Sequence, residues 1–255
     1  MTRNIIWYGW RPDLPDHRDL MYTASRALVK KLPAKVDLRN QCPPVYDQGQ
    51  LGSCTANAIG GAFEFELMKQ DKRGDFMPSR LFIYYNERVM ENTVNVDNGA
   101  EIRDGIKSVN QLGVCPESLL PYDIKKFAVK PAAACYKTAL KHQVLSYHRV
   151  QRTLEQMKGC LAEGYPFVFG FTVYDAFEGG VVAKTGKLNM PKKNEKMVGG
   201  HAVMAVGYDD TAKRFIVRNS WAADWGIKGY FTMPYEYLTT ENLSDDFWTI
   251  RIVEN

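Results

Sequence analysis

The stretch Gln48-Gly49-Gln50-Leu51-Gly52-Ser53-Cys54 sets a side-chain amide and a thiol at the two ends of a glycine-rich turn, directly before a helix-forming run. From 55 to 70 the chain reads TANAIGGAFEFELMKQ, and Ala58, Ala62, Phe65 and Met68 fall where one buried helical stripe requires apolar residues. Cys54 then occupies the first turn of that helix. Unpaired backbone N–H groups and the positive end of the helix dipole favour a thiolate there over a thiol. The glycines bring Gln48 back toward the sulfur, where its amide can donate to an oxygen that develops negative charge. This is the layout of an acyl-transfer site. A cysteine is by default a small buried hydrophobe, so the heptad acquires chemical meaning only if a base and an orienting group appear elsewhere.

At 255 residues the chain can form one large domain or two small lobes around a cleft. An apolar share of 45% and an aromatic share of 12% supply an ordinary core. The net charge of +4 is mild and its basic residues are scattered; the densest run, 192–196, contains Glu195 and reads as a solvated loop, so no nucleic-acid partner is expected. No stretch is long and apolar enough to span a bilayer, and Met1 is not followed by a signal-peptide pattern, which predicts a chain that starts inside a cell, with the cytoplasm favoured. The five cysteines, 42, 54, 115, 135 and 160, have no metal-type spacing; they are read as reduced, and neither a metal nor another cofactor is expected.

Residues 1–33 form an arm, and the body is expected over 34–255. WYGWRPDLPDHRD at 7–19 has three aromatics, two prolines and alternating charges, an extended and turn-rich composition. Ile5, Ile6 and the aromatics are costly to leave in water, so the arm is predicted to pack on the body. Helical spacing dominates a first lobe over about 50–140, including 79–91 and 101–113, the latter ending at Gly113 as a helix terminus should. Short β-branched and aromatic runs dominate a second lobe over about 142–235, interrupted by one helix that Thr153 would cap and that ends near Gly164. A helical half followed by a strand half predicts an α+β protein with its site in the crevice between two lobes.

Four histidines narrow the search for a base. His17 lies in the arm, and His142 and His148 flank the start of a strand, where each reads as structural or solvated. His201 follows Gly199-Gly200 and opens the alternating strand HAVMAVGYD, so little bulk shields one side of its ring and the pocket beside it is uncrowded. In RNSWAADWGIKGYF (218–231), the amide oxygen of Asn219 can accept from one imidazole nitrogen and leave the other for Cys54. Trp221 and Trp225 are large enough to cover that hydrogen bond. Each of these features has a plain structural explanation; their joint occurrence does not.

With these residues in view the chain resembles the papain-like cysteine peptidases, through VDLRN at 36–40, QGQLGSC at 48–54, GGHAVMAVGYD at 199–209 and NSWAADWGIKGY at 219–230, over about residues 32–255. The resemblance implies a two-lobed fold, a helical left lobe facing a β-barrel-like right lobe. It implies Cys54 as nucleophile, His201 as base and then acid, Asn219 as the group that orients the imidazole, and Gln48 with the Cys54 N–H as the oxyanion hole. Asn98-Gly99-Ala100 is similar to the glycine-lined wall on which a substrate backbone pairs. With Gly200 it implies a binding surface for peptide or protein substrates, and the chain is expected to act as a monomeric endopeptidase. A thiol acyl transferase or peptide ligase shares the early chemistry, and a peptide-binding pseudo-peptidase shares the fold. Asp245 or Asp246 near the pocket floor would favour basic side chains.

The chain departs from the family at Thr55, where tryptophan is usual, at Leu51, where a disulfide cysteine is usual, and at Ala222, where glycine is common. No catalytic group is lost, and the pattern resembles a bacterial or viral branch that does without secretory disulfides. The arm stands in place of the family's long helical propeptide and is similar to the leaders of short-prodomain bacterial members. It is expected to lie near the cleft and limit access.

Overall fold

The helix that begins at Cys54 is the piece around which the two halves assemble. In the computed structural model, which describes residues 8–70 and 75–254, its residues 54–67 are all buried. The N-terminal region contributes β1 (Trp10–Arg11), β2 (Met21–Tyr22), α1 (Arg26–Val29) and β3 (Lys35–Asp37). The first lobe carries α2 (Cys54–Lys69), α3 (Arg80–Met90), β4 (Ala100–Glu101), α4 (Ile102–Gln111) and α5 (Ala133–Ala139). The second carries β5 (Val144–Val150), α6 (Leu154–Ala162), β6 (Phe167–Tyr174), α7 (Asp175–Glu178), α8 (Gly180–Thr185), β7 (Met197–Asp209), β8 (Arg214–Arg218), β9 (Tyr230–Pro234), α9 (Tyr235–Thr239) and β10 (Ser244–Val253).

The single stripe expected on α2 is in fact a whole buried cylinder. One side packs on α3 and α4 and the other on β7 and β10, so even Glu64 and Glu66 are buried while Met68, placed on the stripe, is 38% exposed. The other helices follow local rules. Ser79 caps α3 by accepting from the Phe82 N–H, and Thr153 caps α6 by accepting from the Gln156 N–H. Gly113, two residues beyond α4, has φ +70°, and a Cβ there would lie 1.8 Å from the Ala139 carbonyl oxygen, so only glycine fits.

The barrel-like lobe is an eight-stranded sheet in the order β2-β5-β10-β6-β7-β8-β9, with β3 paired to β7. All pairings are antiparallel except β2 on β5. Phe167, Phe169 and Phe171 alternate along β6 and so share one face, where they pack on Phe215, Phe247 and Phe231. Leu51 is buried in the core where the usual disulfide cysteine is missing, and all five cysteines are free thiols. Ala222 holds φ +62°, the left-handed conformation that explains why glycine is common at that position.

The two lobes meet through short backbone contacts. The Gln48 N–H donates to the Ser220 carbonyl at 2.9 Å and the Ala222 N–H to the Tyr46 carbonyl at 3.0 Å. Arg218 reaches the carbonyls of Pro43 and Pro44, both at 2.6 Å. The heptad is thereby fixed against the end of β8 and the segment after it that carries Asn219.

Candidate active site

Cys54 opens α2 from the first lobe, and β7 delivers His201 from the second. The Ala202 N–H, one residue beyond the histidine, donates to Cys54 Sγ at 3.3 Å, so the two elements meet at the sulfur. His201 Nε2 lies 2.8 Å from Asn219 Oδ1. That oxygen also accepts from the Ser220 N–H at 2.9 Å, which fixes the amide orientation and makes Nε2 the protonated nitrogen. Nδ1 is then the basic nitrogen of the neutral ring. Trp221 stacks on the imidazole, centroids 5.1 Å apart at 29°, and Trp225 packs edge-on against Trp221 at 5.1 Å. Both indoles are buried, as a cover for the histidine–asparagine bond requires.

Gln48 is buried and held from three sides. Its Oε1 accepts from Ser220 Oγ at 2.6 Å, its backbone carbonyl accepts from Tyr122 Oη at 2.9 Å, and its Nε2 donates to the Leu51 carbonyl at 3.0 Å. An amide has two N–H bonds, so one remains for an oxygen beside the sulfur. Arg80 supports the same turn through the Asp47 carbonyl at 2.9 Å and pairs with Glu117 at 2.8 Å.

Two sequence expectations need correction. His201 was expected to face an open, uncrowded pocket, but it is only 1% exposed. Cys54 was expected to favour a thiolate, but burial pushes its thiol up to about 12, against the lowering effect of backbone N–H groups from Ala202, Gly9 and Thr55. One cause accounts for both: residues 8–10 of the arm run through the cleft. The Gly9 N–H faces Cys54 Sγ. The Gly9 carbonyl accepts from the Ala100 N–H at 2.8 Å, and β1 pairs with β4 in parallel register, Trp10 beside Ala100. A trans peptide points its C=O opposite its N–H, so the Tyr8–Gly9 unit turns its carbonyl oxygen away from the sulfur. The Gly9 carbonyl is likewise engaged by the Ala100 N–H, so neither carbonyl flanking Gly9 is presented to the sulfur.

The glycines of the cleft are filled from the same source. A Cβ on Gly99 would lie 2.0 Å from the Gly9 carbonyl oxygen; on Gly199, 2.7 Å from Tyr8 Cβ; on Gly200, 2.6 Å from Trp10 Cε3; on Gly170, 1.9 Å from Trp10 Cε2. Asn98 is exposed at the rim of this wall. Tyr8 stands edge-on to His201 at 5.8 Å and donates to Glu178 at 2.9 Å. Trp7, Ile5 and Ile6, expected to pack with the arm, lie outside the described residues.

Asp245 or Asp246 was expected near the pocket floor as a site for basic side chains; Asp246 lies there, but its carboxylate is taken up by the chain's own groups. Trp10 Nε1 donates to Asp246 Oδ2 at 3.0 Å, the Asp13 N–H to the same oxygen at 2.8 Å, and Arg149 pairs with Oδ1 at 2.9 Å. Asp13 in turn accepts from Trp248 Nε1 at 2.9 Å and from the Arg103 N–H at 3.0 Å. Sequence reading missed Phe177, which packs on Trp221, Trp225 and His201, and Glu87, buried behind the nucleophile and accepting from Thr55 Oγ1 at 2.6 Å. Of these residues the sequence signals only Asp246, through the resemblance to the family, and Trp10, through the aromatic density of the arm.

Helical lobe, barrel-like sheet and a cysteine–histidine–asparagine set divided between them define a papain-like cysteine peptidase. The model of the papain family of cysteine proteases matches residues 32–244, and the chain belongs to that family. It is similar to the crystal structure of xylellain, a cysteine protease from Xylella fastidiosa, at 46% identity and a TM-score of 0.91, over 100% of this chain and 99% of that one. It is also 46% identical to a peptidase C1-like protein of Acanthamoeba polyphaga mimivirus, over 96% of this chain and 87% of that protein. Cysteine proteinase 3 of Entamoeba histolytica is 29% identical over 82% of this chain and 65% of its own length. The protein is a peptidase hydrolase, its substrates are peptides or proteins, and among the described residues no helix is long and apolar enough to cross a membrane.

Proposed function

We propose that the chain is a cysteine endopeptidase whose cleft is closed by its own N-terminal arm. Once the arm leaves, His201 Nδ1 takes the Cys54 proton. The thiolate attacks a peptide carbonyl, and its negative oxygen is held by the Cys54 N–H and the spare Gln48 N–H. The imidazolium then protonates the leaving amine as the C–N bond breaks, giving a thioacyl enzyme. Water, deprotonated by the same imidazole, hydrolyses the thioester and restores the thiol. Asn219 keeps Nε2 occupied throughout, so Nδ1 alone exchanges protons with sulfur, amine and water. The backbone of Gly99-Ala100 and the pocket beside Gly200 would receive the substrate.

The observation that carries this reading is the hydrogen-bonded line His201–Asn219–Ser220–Gln48, which ties base, orienting group and oxyanion donor into one unit beside Cys54. The track of Tyr8 to Trp10 across the same unit supports the arm's role as a plug. The test is turnover of internally quenched peptides blocked at both ends, by the parent chain, Trp10→Ala and Cys54→Ala. The reading expects slow cleavage by the parent, faster cleavage by Trp10→Ala and none by Cys54→Ala. Cleavage by Cys54→Ala at the parent's rate would overturn the mechanism, and equal rates for parent and Trp10→Ala would overturn the plug.

A further inference from the structure

Behind the nucleophile lies a titratable side chain with no part in the reaction steps. Glu87, on α3, is 0% exposed. Its Oε1 accepts from Thr55 Oγ1 at 2.6 Å, and the Thr55 backbone N–H faces Cys54 Sγ. One residue therefore meets the sulfur with its backbone and the carboxyl with its side chain. α4 reaches the same carboxyl with bare backbone: a Cβ on Gly105 would lie 2.6 Å from Glu87 Oε2, and no polar group among the described residues bonds to that oxygen. Thr55 stands where the papain family usually carries tryptophan, so the hydroxyl–carboxyl pair is a departure from the common site.

A carboxylate at this depth needs a cation beside it, and the nearby cations are committed elsewhere. Arg88, the next residue, gives its guanidinium to the carbonyls of Tyr84 at 2.9 Å, Val94 at 2.7 Å and Phe127. Arg11 on β1 pairs with Glu91. Tyr84, one turn back on α3, donates to Asp97, and Asp104 on α4 brings a second acid toward Glu87. The charges and titratable groups around Glu87 are thus two engaged arginines, a phenol, another carboxyl and the Cys54 thiol. Burial outweighs the Thr55 bond, and the carboxyl is a neutral acid at pH 7.

Resting on the reading of Cys54 as nucleophile and His201 as base, we propose that Glu87 is a positioning residue that sets the upper pH limit of acylation. As a neutral acid it holds Thr55, and through it the first turn of α2, against the sulfur. As a carboxylate it opposes the thiolate that has to form there. The thiolate–imidazolium pair has its negative end on α2, the side of Glu87, and its positive end across the cleft on β7. A negative charge behind the sulfur therefore raises the energy of the thiolate more than it lowers that of the more distant imidazolium, and the proton stays on sulfur for more of the time. At an effective dielectric of about 20, the difference between the two distances leaves about a threefold loss of the reactive pair. Glu87 touches neither substrate nor reacting atom; it acts through Thr55 and Cys54.

The test follows cleavage of a quenched peptide between pH 6 and 9 by three full-length chains: Trp10→Ala, the same chain with Glu87→Gln, and the same chain with Thr55→Ser. The arm competes with substrate and so enters KM, whereas the charge behind the sulfur enters kcat, which for an amide substrate reports acylation. From pH 7 to 9 the kcat of Trp10→Ala is expected to fall about threefold further than that of the Glu87→Gln chain, with the two within about twofold of each other at pH 6. Thr55→Ser keeps the hydroxyl and is expected to follow Trp10→Ala. Thr55→Val removes a donor that favours the carboxylate, so its fall should begin at higher pH, which keeps the proposal testable if Glu87→Gln does not fold. Infrared difference spectra between Trp10→Ala and its Glu87→Gln variant should show a carboxylic-acid band at pH 6 that gives way to a carboxylate band at pH 9. Parallel kcat profiles for the two chains, or a carboxylate band already present at pH 6, would overturn the proposal. Turnover by Cys54→Ala at the parent's rate would instead overturn the reading of the nucleophile.

Discussion

Trp10→Ala is the most informative single perturbation, because it loads almost entirely on the docking of the arm. The indole is buried, fits the space that Gly170 and Gly200 leave open, and donates to Asp246 at 3.0 Å. Truncating a well-packed tryptophan costs about 3–5 kcal/mol. β2 holds the chain from residue 21, so this loss falls on the docked-to-undocked equilibrium of residues 8–13 more than on global folding. An undocked tryptophan buries part of its own surface elsewhere, and Arg149 still satisfies Asp246, so a discounted value is about 2–3 kcal/mol. At 1.4 kcal/mol per decade this raises the open fraction by about 30- to 150-fold. The assay is the second-order rate of Cys54 labelling by an epoxide inhibitor, with Cys54→Ala as background and thermal unfolding as a check on the fold. Trp10→Phe keeps most of the area and loses the hydrogen bond to Asp246, so it should label about fivefold faster than the parent. A Trp10→Ala chain with a parent-like unfolding temperature and a labelling rate within about twofold of the parent's would refute the reasoning.

The pH dependence of the same labelling separates two states of the sulfur. Burial pushes the Cys54 thiol up to about 12 in the closed chain, and opening passes its proton to His201 Nδ1 and not to solvent, so labelling should change by less than about threefold between pH 6 and 8 in the parent and in Trp10→Ala alike; a tenfold rise per pH unit would mean that the proton leaves the pair. Glu87 is fully buried and its carboxyl is pushed up to about 8 by burial, above its value of about 4.3 in an unfolded chain. A raised carboxyl gives stability that is complete below the unfolded value and lost as pH rises to 8. Glu87→Gln keeps an acceptor for Thr55 and cannot ionise, so denaturant titrations at pH 5 and pH 9 should swing toward the variant by roughly 3–5 kcal/mol. Ala222→Gly relieves a left-handed alanine worth about 1–2 kcal/mol at a glycine cost of about 0.5–1, and should raise the unfolding temperature by about one to three degrees.

The heptad at 48–54, the strand opening at His201 and the run at Asn219 were legible because chemistry restricts residue type at each. A thiol at a helix start, a base after glycines and an amide before a tryptophan leave few substitutes. α3, α4 and α6 were legible from caps and spacing. The short helices α5, α7, α8 and α9 were not, since four to seven residues do not establish a period. The two-residue strands β1, β2 and β4 carry no alternation at all, and they route the arm. The contact that anchors Trp10 joins residues 236 positions apart, and nothing local to Asp246 announces an indole. Gly170, Gly199 and Gly200 showed that something approaches closely, but a glycine does not say what. The arm supplied the answer, and with it the reason a reactive pair can rest as a buried thiol and a buried imidazole.

The most direct measurement is the covalent state of Cys54 during turnover. Trp10→Ala is mixed with an activated ester of a blocked dipeptide, quenched in acid within milliseconds, and digested for mass spectrometry. The account predicts an acyl group on the peptide containing Cys54, accumulating before steady state and decaying as substrate is exhausted. Turnover that proceeds with Cys54 unmodified, or with the acyl group on another side chain, would contradict it.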